Sequence, residues 1–199
     1  MMTNVEVGRV APSFRLPSGQ GPEIGPEDYR GQQNVVVWFT KGVGCPFCRR
    51  HMSQMVQGYS SFQALNAEVL EVTLTPTARA RFYVSNYKIP FPYLCDPDYR
   101  VRRTWGLEKS PHSLAWYAAK VYAGRNLGNL PSEFGNDNPS LREFPGVLAD
   151  DDMGFYILDK NGVVRYSLAG SYVVEGAARQ IPSNEEIVRE LTLCERGRA

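Results

Sequence analysis

The residues with the plainest capacity for chemistry are Cys45 and Cys48, in the run Cys45-Pro46-Phe47-Cys48. Two thiols separated by two residues at a helix start come within bonding reach, which is what reversible dithiol–disulfide chemistry needs. The apolar run VVVWFT at 35–40 reads as a strand, and the residues after Cys48 carry helical periodicity. A strand feeding through Lys41-Gly42-Val43-Gly44 into that helix puts Cys45 at the helix N-terminus. Unpaired backbone N–H groups and the positive end of the helix dipole favour a thiolate there. In such settings a cysteine pKa falls from about 8.5 to between roughly 3.5 and 7.5.

The neighbours that could support such a pair are Thr40, Lys41, Gly44, Pro46, Phe47, Arg49 and His51. Pro46 fits the first helical turn without losing a hydrogen bond. Lys41, Arg49, Arg50 and His51 could hold a nearby thiolate by Coulombic attraction, or form a solvated basic face. His51 lies one turn beyond Cys48, a spacing that allows a proton-transfer role without fixing the ring. Structural zinc is the rival use of the thiols. It usually takes four Cys or His ligands, whereas Cys95, Cys194, His51 and His112 are scattered singly, so no metal and no other cofactor is expected. Cys95, in FPYLCDPD, reads either as a third thiol relaying oxidation or as a small buried side chain. Cys194 shares a helix face with Ile187 and Leu191 and reads as packing.

The elements that must position the pair can be read on both sides of it. The 199 residues, 43% of them hydrophobic, are enough for a single domain over 1–199 with a packed core. A net charge of +1 gives no footprint for nucleic acid or an anionic membrane. No apolar stretch reaches signal-peptide or membrane-span length, so a cytoplasmic location is expected. Residues 7–33 read as a turn-rich segment capping the sheet, and 35–40 as its central strand, buried on both faces. The helical stripe Met52, Met55, Val56, Tyr59 and Phe62 predicts a helix to about Gly58 or beyond, with Gly58 as a candidate break. Val69, Leu70, Val72 and Leu74 predict a second strand. Thr77 is the candidate cap of a helix carrying Phe82, Tyr83 and Tyr87, ended by Pro90 and Pro92. Residues 98–107 predict a short helix with Val101, Trp105 and Leu107 inward and arginines on its other sides. An aromatic helix from Ser113 to about Asn126 belongs to an insertion at about 108–150, where core packing, a homodimer surface and a substrate pocket are all open. Residues 155–158 and 163–168 predict a hairpin about Asp159-Lys160-Asn161-Gly162, and Ser183-Asn184-Glu185-Glu186 a capping box opening the last helix.

Strand, CxxC, helix, strand, helix, hairpin and terminal helix is a thioredoxin-like order. Within that superfamily the chain resembles peroxiredoxin-like proteins of the AhpC/TSA family, in a branch with a CxxC pair in place of the ordinary motif. The resemblance rests on VGRVAPSFRLPSG, VVVWFTKGVGCPFCRRHM, IPFPYLCDPDYRVRRTWGL, GFYILDKNGVVRY and PSNEEIVREL, which fall in family order across most of the chain. It implies an α/β fold with a central mixed β-sheet flanked by helices. It also implies a redox-active Cys45/Cys48 pair, peroxide as substrate, and an external thiol donor such as thioredoxin or glutathione. The chain departs from the family at Cys45, which stands where the peroxiredoxin motif has Thr or Ser if Cys48 takes the peroxidatic place. Lys41 then stands at the motif's Pro, and Met153 stands near an expected Arg or cis-Pro. Peroxide reduction is therefore the leading expectation. A thiol-disulfide oxidoreductase acting on protein or small-molecule disulfides, and a non-enzymatic redox sensor, are the alternatives.

Overall fold

The structure, a computed structural model, describes residues 5–107, 113–125, 132–134, 141, 143, 153–174 and 177–197. Its centre is a five-stranded mixed sheet in the order β5-β4-β3-β6-β7, built from β3 (Asn34–Phe39), β4 (Ala67–Thr73), β5 (Tyr93–Cys95), β6 (Met153–Leu158) and β7 (Val164–Gly170). The small strands β1 (Leu16–Pro17) and β2 (Glu23–Ile24) pair with each other at the periphery. β3 runs parallel to β4, with Val36 opposite Val69, and antiparallel to β6, with Val37 opposite Tyr156.

Every residue of β3 is buried, as its unbroken apolar sequence predicts for a strand covered on both faces. The period-two alternation sorts its side chains. Val36 and Trp38 join Met52, Met55 and Phe62 in one apolar cluster; Val35, Val37 and Phe39 join Phe14, Val101 and Trp105 in the other. Each buried Val, Leu or Phe contributes about 1.5–3 kcal/mol on leaving water, so the two clusters hold the sheet and its helices together.

α1 (Pro46–Ala64) follows β3 and runs unbroken through Gly58, so the expected break there is not found. Gly58 serves close packing instead. A Cβ on it would meet Phe62 Cζ at 2.5 Å and Asn184 Cγ at 2.8 Å, where the terminal helix lies against α1. α2 (Thr77–Tyr87) has its N-cap at Pro76, one residue earlier than the expected cap Thr77, and ends on Lys88 at φ 50°. α3 (Arg100–Thr104) buries Val101, and the expected outward placement of its arginines holds only in part, because Arg102 is also buried. From the expected insertion at 108–150 the described parts are α4 (Leu114–Arg125), a 3₁₀ turn at 132–134 and two isolated residues; the remainder lies outside the described residues. Leu114 and Tyr122 of α4 are exposed, whereas Phe134 is buried beside Tyr87, with ring centroids 6.3 Å apart.

The β6–β7 hairpin turns on Asp159, which accepts the N–H groups of Asn161 and Val163, and on Gly162 at φ 76°. After β7, the short strands β8 (Val173–Val174) and β9 (Ala177–Ala178) form a ribbon whose base is closed by the Arg179 N–H donating to the Tyr172 carbonyl at 2.8 Å. α5 (Asn184–Glu195) opens with the expected capping box: the Glu186 N–H donates to Ser183 Oγ, and the Ser183 N–H to the Glu186 carboxylate. Among the described residues no helix is long and apolar enough to cross a membrane.

Candidate active site

The loop leaving β3 is fixed at its first residue. The Thr40 N–H continues the ladder to the Val72 carbonyl at 2.9 Å, and its carbonyl accepts from Arg102 Nη2. Thr40 Oγ1 donates to Glu71 Oε1 at 2.8 Å and accepts the Gly42 N–H at 2.9 Å. Gly42 takes φ 80°, and a Cβ there would collide with the Tyr93 hydroxyl and Thr75 Oγ1. The Val43 N–H donates to that same Tyr93 hydroxyl, and the Cys45 N–H to the Gly42 carbonyl. Together these bonds bend the chain tightly from the strand into α1.

Cys45 is the N-cap of α1 with extended backbone, φ −101°, and Pro46 follows at the first helical position. No acidic residue stands in the first turn. The sequence-derived placement of this thiol at the positive end of a long helix is therefore met. Cys48 lies one turn in. Both sulfurs are free thiols and both are covered: Cys45 is 2% exposed and Cys48 0%.

Among the described residues, Cys48 Sγ has two polar neighbours besides Cys45. The Lys41 N–H donates to it at 3.3 Å, and the Tyr172 hydroxyl lies 3.7 Å away. Burial pushes the Cys48 thiol well above its ordinary pKa, and a hydrogen bond to Cys45 together with that sulfur's charge pushes it further. Lys41 and Tyr172 pull the other way. Burial and the neighbouring Cys45 sulfur thus both favour the protonated form of Cys48.

The supporting residues separate in kind. Lys41 is almost fully buried, and its Nζ lies 5.1 Å from the centroid of the Tyr172 ring. Gly44, Phe47 and Arg49 are buried in the loop and first turn, and the Arg49 N–H makes the first helical bond to the Cys45 carbonyl at 3.1 Å. His51 corrects an expectation. It is buried against Trp38 with ring centroids 6.4 Å apart and hydrogen-bonds the Arg179 backbone, and burial lowers its pKa to about 4. A neutral imidazole offers no Coulombic hold on a thiolate. Cys95 is buried in the same apolar cluster as the pair, its thiol pushed up to about 11 by burial despite a hydrogen bond with Thr77. Cys194 is half-buried against that cluster. Met153, near the position where the family resemblance expects an Arg or cis-Pro, begins β6 as a fully buried apolar side chain.

Three groups escaped the sequence reading. Arg102 reaches the Thr40 carbonyl from α3; Glu71 lies fully buried beneath Thr40, its pKa raised to about 8 by burial; Tyr172 arrives from beyond β7. Glu71 did leave a signal, as a lone charge inside the apolar stretch Val69–Leu74. Arg102 left none among its neighbouring arginines, and neither did Tyr172.

This sheet order, with a dithiol at the start of the helix after the central strand, defines a thioredoxin-like fold of the peroxiredoxin kind. Solved structures agree in fold: peroxidoxin BcpB from Mycobacterium tuberculosis superposes with TM-score 0.62 at 14% identity, covering 98% of this chain and 100% of that one. The reduced 2-Cys peroxiredoxin of Plasmodium vivax gives 0.61 at 14% identity, covering 96% of each. Residues 7–135 match the AhpC/TSA family, and the chain belongs to it. Peroxiredoxin Q, chloroplastic, of Oryza sativa subsp. japonica is 27% identical over 162 residues, 81% of this chain and 58% of the relative. That of Sedum lineare is 26% identical over 165 residues, 83% of this chain and 69% of the relative. The chain thus spans under two thirds of the rice protein's length.

Proposed function

We propose that the chain is a thiol peroxidase that cycles Cys45 and Cys48 between dithiol and disulfide. Family membership supplies the reaction class. The observation that carries the choice of substrate is the cover over both sulfurs, since a small peroxide reaches a thiol that is 2% exposed far more readily than a protein disulfide does. Cys45, at the helix N-terminus beside a protonated Cys48, is the first nucleophile. Its thiolate attacks the distal peroxide oxygen, the O–O bond breaks, and the alkoxide or hydroxide leaves and takes a proton, giving an alcohol or water and a sulfenic acid on Cys45. Cys48 then attacks the Cys45 sulfur, forming the S–S bond and expelling water. An external thiol donor, thioredoxin or glutathione, returns the pair to thiols and is itself oxidised to a disulfide. A cytoplasmic, reducing compartment suits that last step and is part of the proposal.

The test is peroxide consumption with thioredoxin or glutathione as donor, run beside Cys45→Ser and Cys48→Ser. Both variants are expected to fall to background turnover. After one equivalent of hydrogen peroxide, a sulfenic-acid probe followed by mass spectrometry should label Cys45 in C48S and nothing in C45S. Sulfenate on neither variant defeats the peroxidase reading; sulfenate on Cys48 alone reverses the order of the thiols. A wild-type enzyme that ignores peroxide but reduces a protein disulfide would instead be a thiol-disulfide oxidoreductase.

A further inference from the structure

Tyr172 enters the site from the far end of the chain, 124 residues beyond Cys48. It follows Ser171, whose carbonyl accepts from Arg179 Nε at 2.7 Å, and its own carbonyl is held by the Arg179 N–H at the base of the β8–β9 ribbon, so both flanks of the residue are tied down. Its side chain is buried, with the hydroxyl 3.7 Å from Cys48 Sγ. The Lys41 N–H reaches the same sulfur from the loop after β3 at 3.3 Å. We infer that Tyr172 is a catalytic residue of the resolving half-reaction, its hydroxyl and the Lys41 N–H forming a two-donor cradle for Cys48 as that sulfur becomes the attacking thiolate. The inference rests on the dithiol cycle proposed above.

The need for such a cradle follows from burial. A thiolate removed from water is costly unless hydrogen-bond donors replace the lost solvation. With Cys48 protonated, its S–H donates to the phenol oxygen; as the proton departs, the hydroxyl turns and donates to sulfur. Donation requires that Tyr172 stay a phenol. Its own pKa is pushed well above the ordinary tyrosine value, first by burial and then by the charges of Cys48 and Cys45. The groups facing Tyr172 are Cys45 and Cys48 from α1, Lys41 from the loop after β3, and Arg102 from α3. The Arg102 guanidinium sets positive charge beside a site that must carry one negative sulfur.

The step balances within the protein. The Cys48 thiolate attacks the sulfenic sulfur of Cys45, the S–S bond forms and the S–O bond breaks. Hydroxide departs with the bonding pair and takes up one proton, equal to that lost by Cys48, leaving as water. The Cys48 sulfur is oxidised and the Cys45 sulfur reduced.

Tyr172→Phe removes one oxygen and keeps the ring. In single turnovers with hydrogen peroxide, quenched and read by mass, Y172F should form the Cys45 sulfenate at the wild-type rate. It should then close the disulfide about 10- to 100-fold more slowly, as expected for losing a hydrogen bond to a charged group. In a C45S background, thiolate absorbance should show the Cys48 pKa raised by about one to two pH units on adding Y172F. Tyr172→His, which retains a ring donor, should recover part of the closing rate, and it keeps the question answerable if near-ultraviolet dichroism shows Y172F unfolded. Disulfide closure at the wild-type rate with an unmoved Cys48 pKa overturns the inference, as does a slowed first step with normal closure. Absence of sulfenate and disulfide in the wild type would defeat the peroxidase reading alone, because the Cys48 pKa in C45S still reports whether Tyr172 donates to that sulfur.

Discussion

Two buried titratable side chains near the site carry opposite linkages. Glu71 has its pKa raised from 4.5 to about 8, so the folded protein binds a proton there that the unfolded chain has lost. Its stabilising contribution is full below about 4.5 and fades as pH rises through about 8. His51 has its pKa lowered from 6.5 to about 4, so its contribution is full above 6.5 and fades as pH falls through about 4. Between about 4.5 and 6.5 the two slopes cancel, each being worth on the order of a few kcal/mol across its window. Single variants should uncover them. In urea titrations from pH 5 to 8, the stability of Glu71→Gln relative to wild type is expected to climb throughout. That of His51→Gln should decline up to about 6.5 and then level off. Differences that stay flat with pH for both variants would remove the assignment of either group as a buried, shifted titrator.

At the scale of elements, the turn from β3 into α1 concentrates the constraints. Gly42 stands at φ 80° with no room for a Cβ between Tyr93 and Thr75. Gly42→Ala should therefore cost about 2–5 kcal/mol, combining left-handed backbone strain with overpacking. It should also slow disulfide formation by moving the Lys41 N–H away from Cys48. A urea midpoint within error of wild type would contradict this. The elements themselves were largely legible. The run 35–40 predicts β3 because a strand buried on both faces needs no polar alternation. Asp159 to Gly162 predicts the β6–β7 hairpin, and Ser183 with Glu186 the start of α5, because these signals act within four residues. Gly58 misleads as a break, since the reason for a glycine there is Asn184, more than a hundred residues away. Arg102 and Tyr172 were invisible for the same reason. A side chain's partner across the fold leaves no periodicity in its own neighbourhood, so Cys45 and Cys48 could be named from sequence while the groups around them could not.

Across the whole molecule, the four thiols occupy unlike environments. Cys95 is buried with its pKa raised from 9.0 to about 11, which leaves it about 100-fold less thiolate than an unperturbed thiol. Cys194, half-buried on α5, has access to solvent. With a small alkylating reagent at pH 8, Cys194 should react well before Cys95, and Cys95 only under conditions that unfold the sheet. Early labelling of Cys95 in the folded protein would mean that β5 opens locally, and would restore it as a third redox thiol.

The sheet order also has a temporal side. β3, α1, β4, α2 and β5 lie within residues 34–95 and are joined by short crossovers, whereas β6 and Tyr172 are supplied only after residue 153. A chain emerging from the ribosome therefore exposes Cys45 and Cys48 for more than a hundred residues of synthesis before the half of the molecule that covers them exists. For that interval the pair is open to stray oxidants and to wrong partners, and its protection falls to the reducing power of the surroundings in which the chain is made.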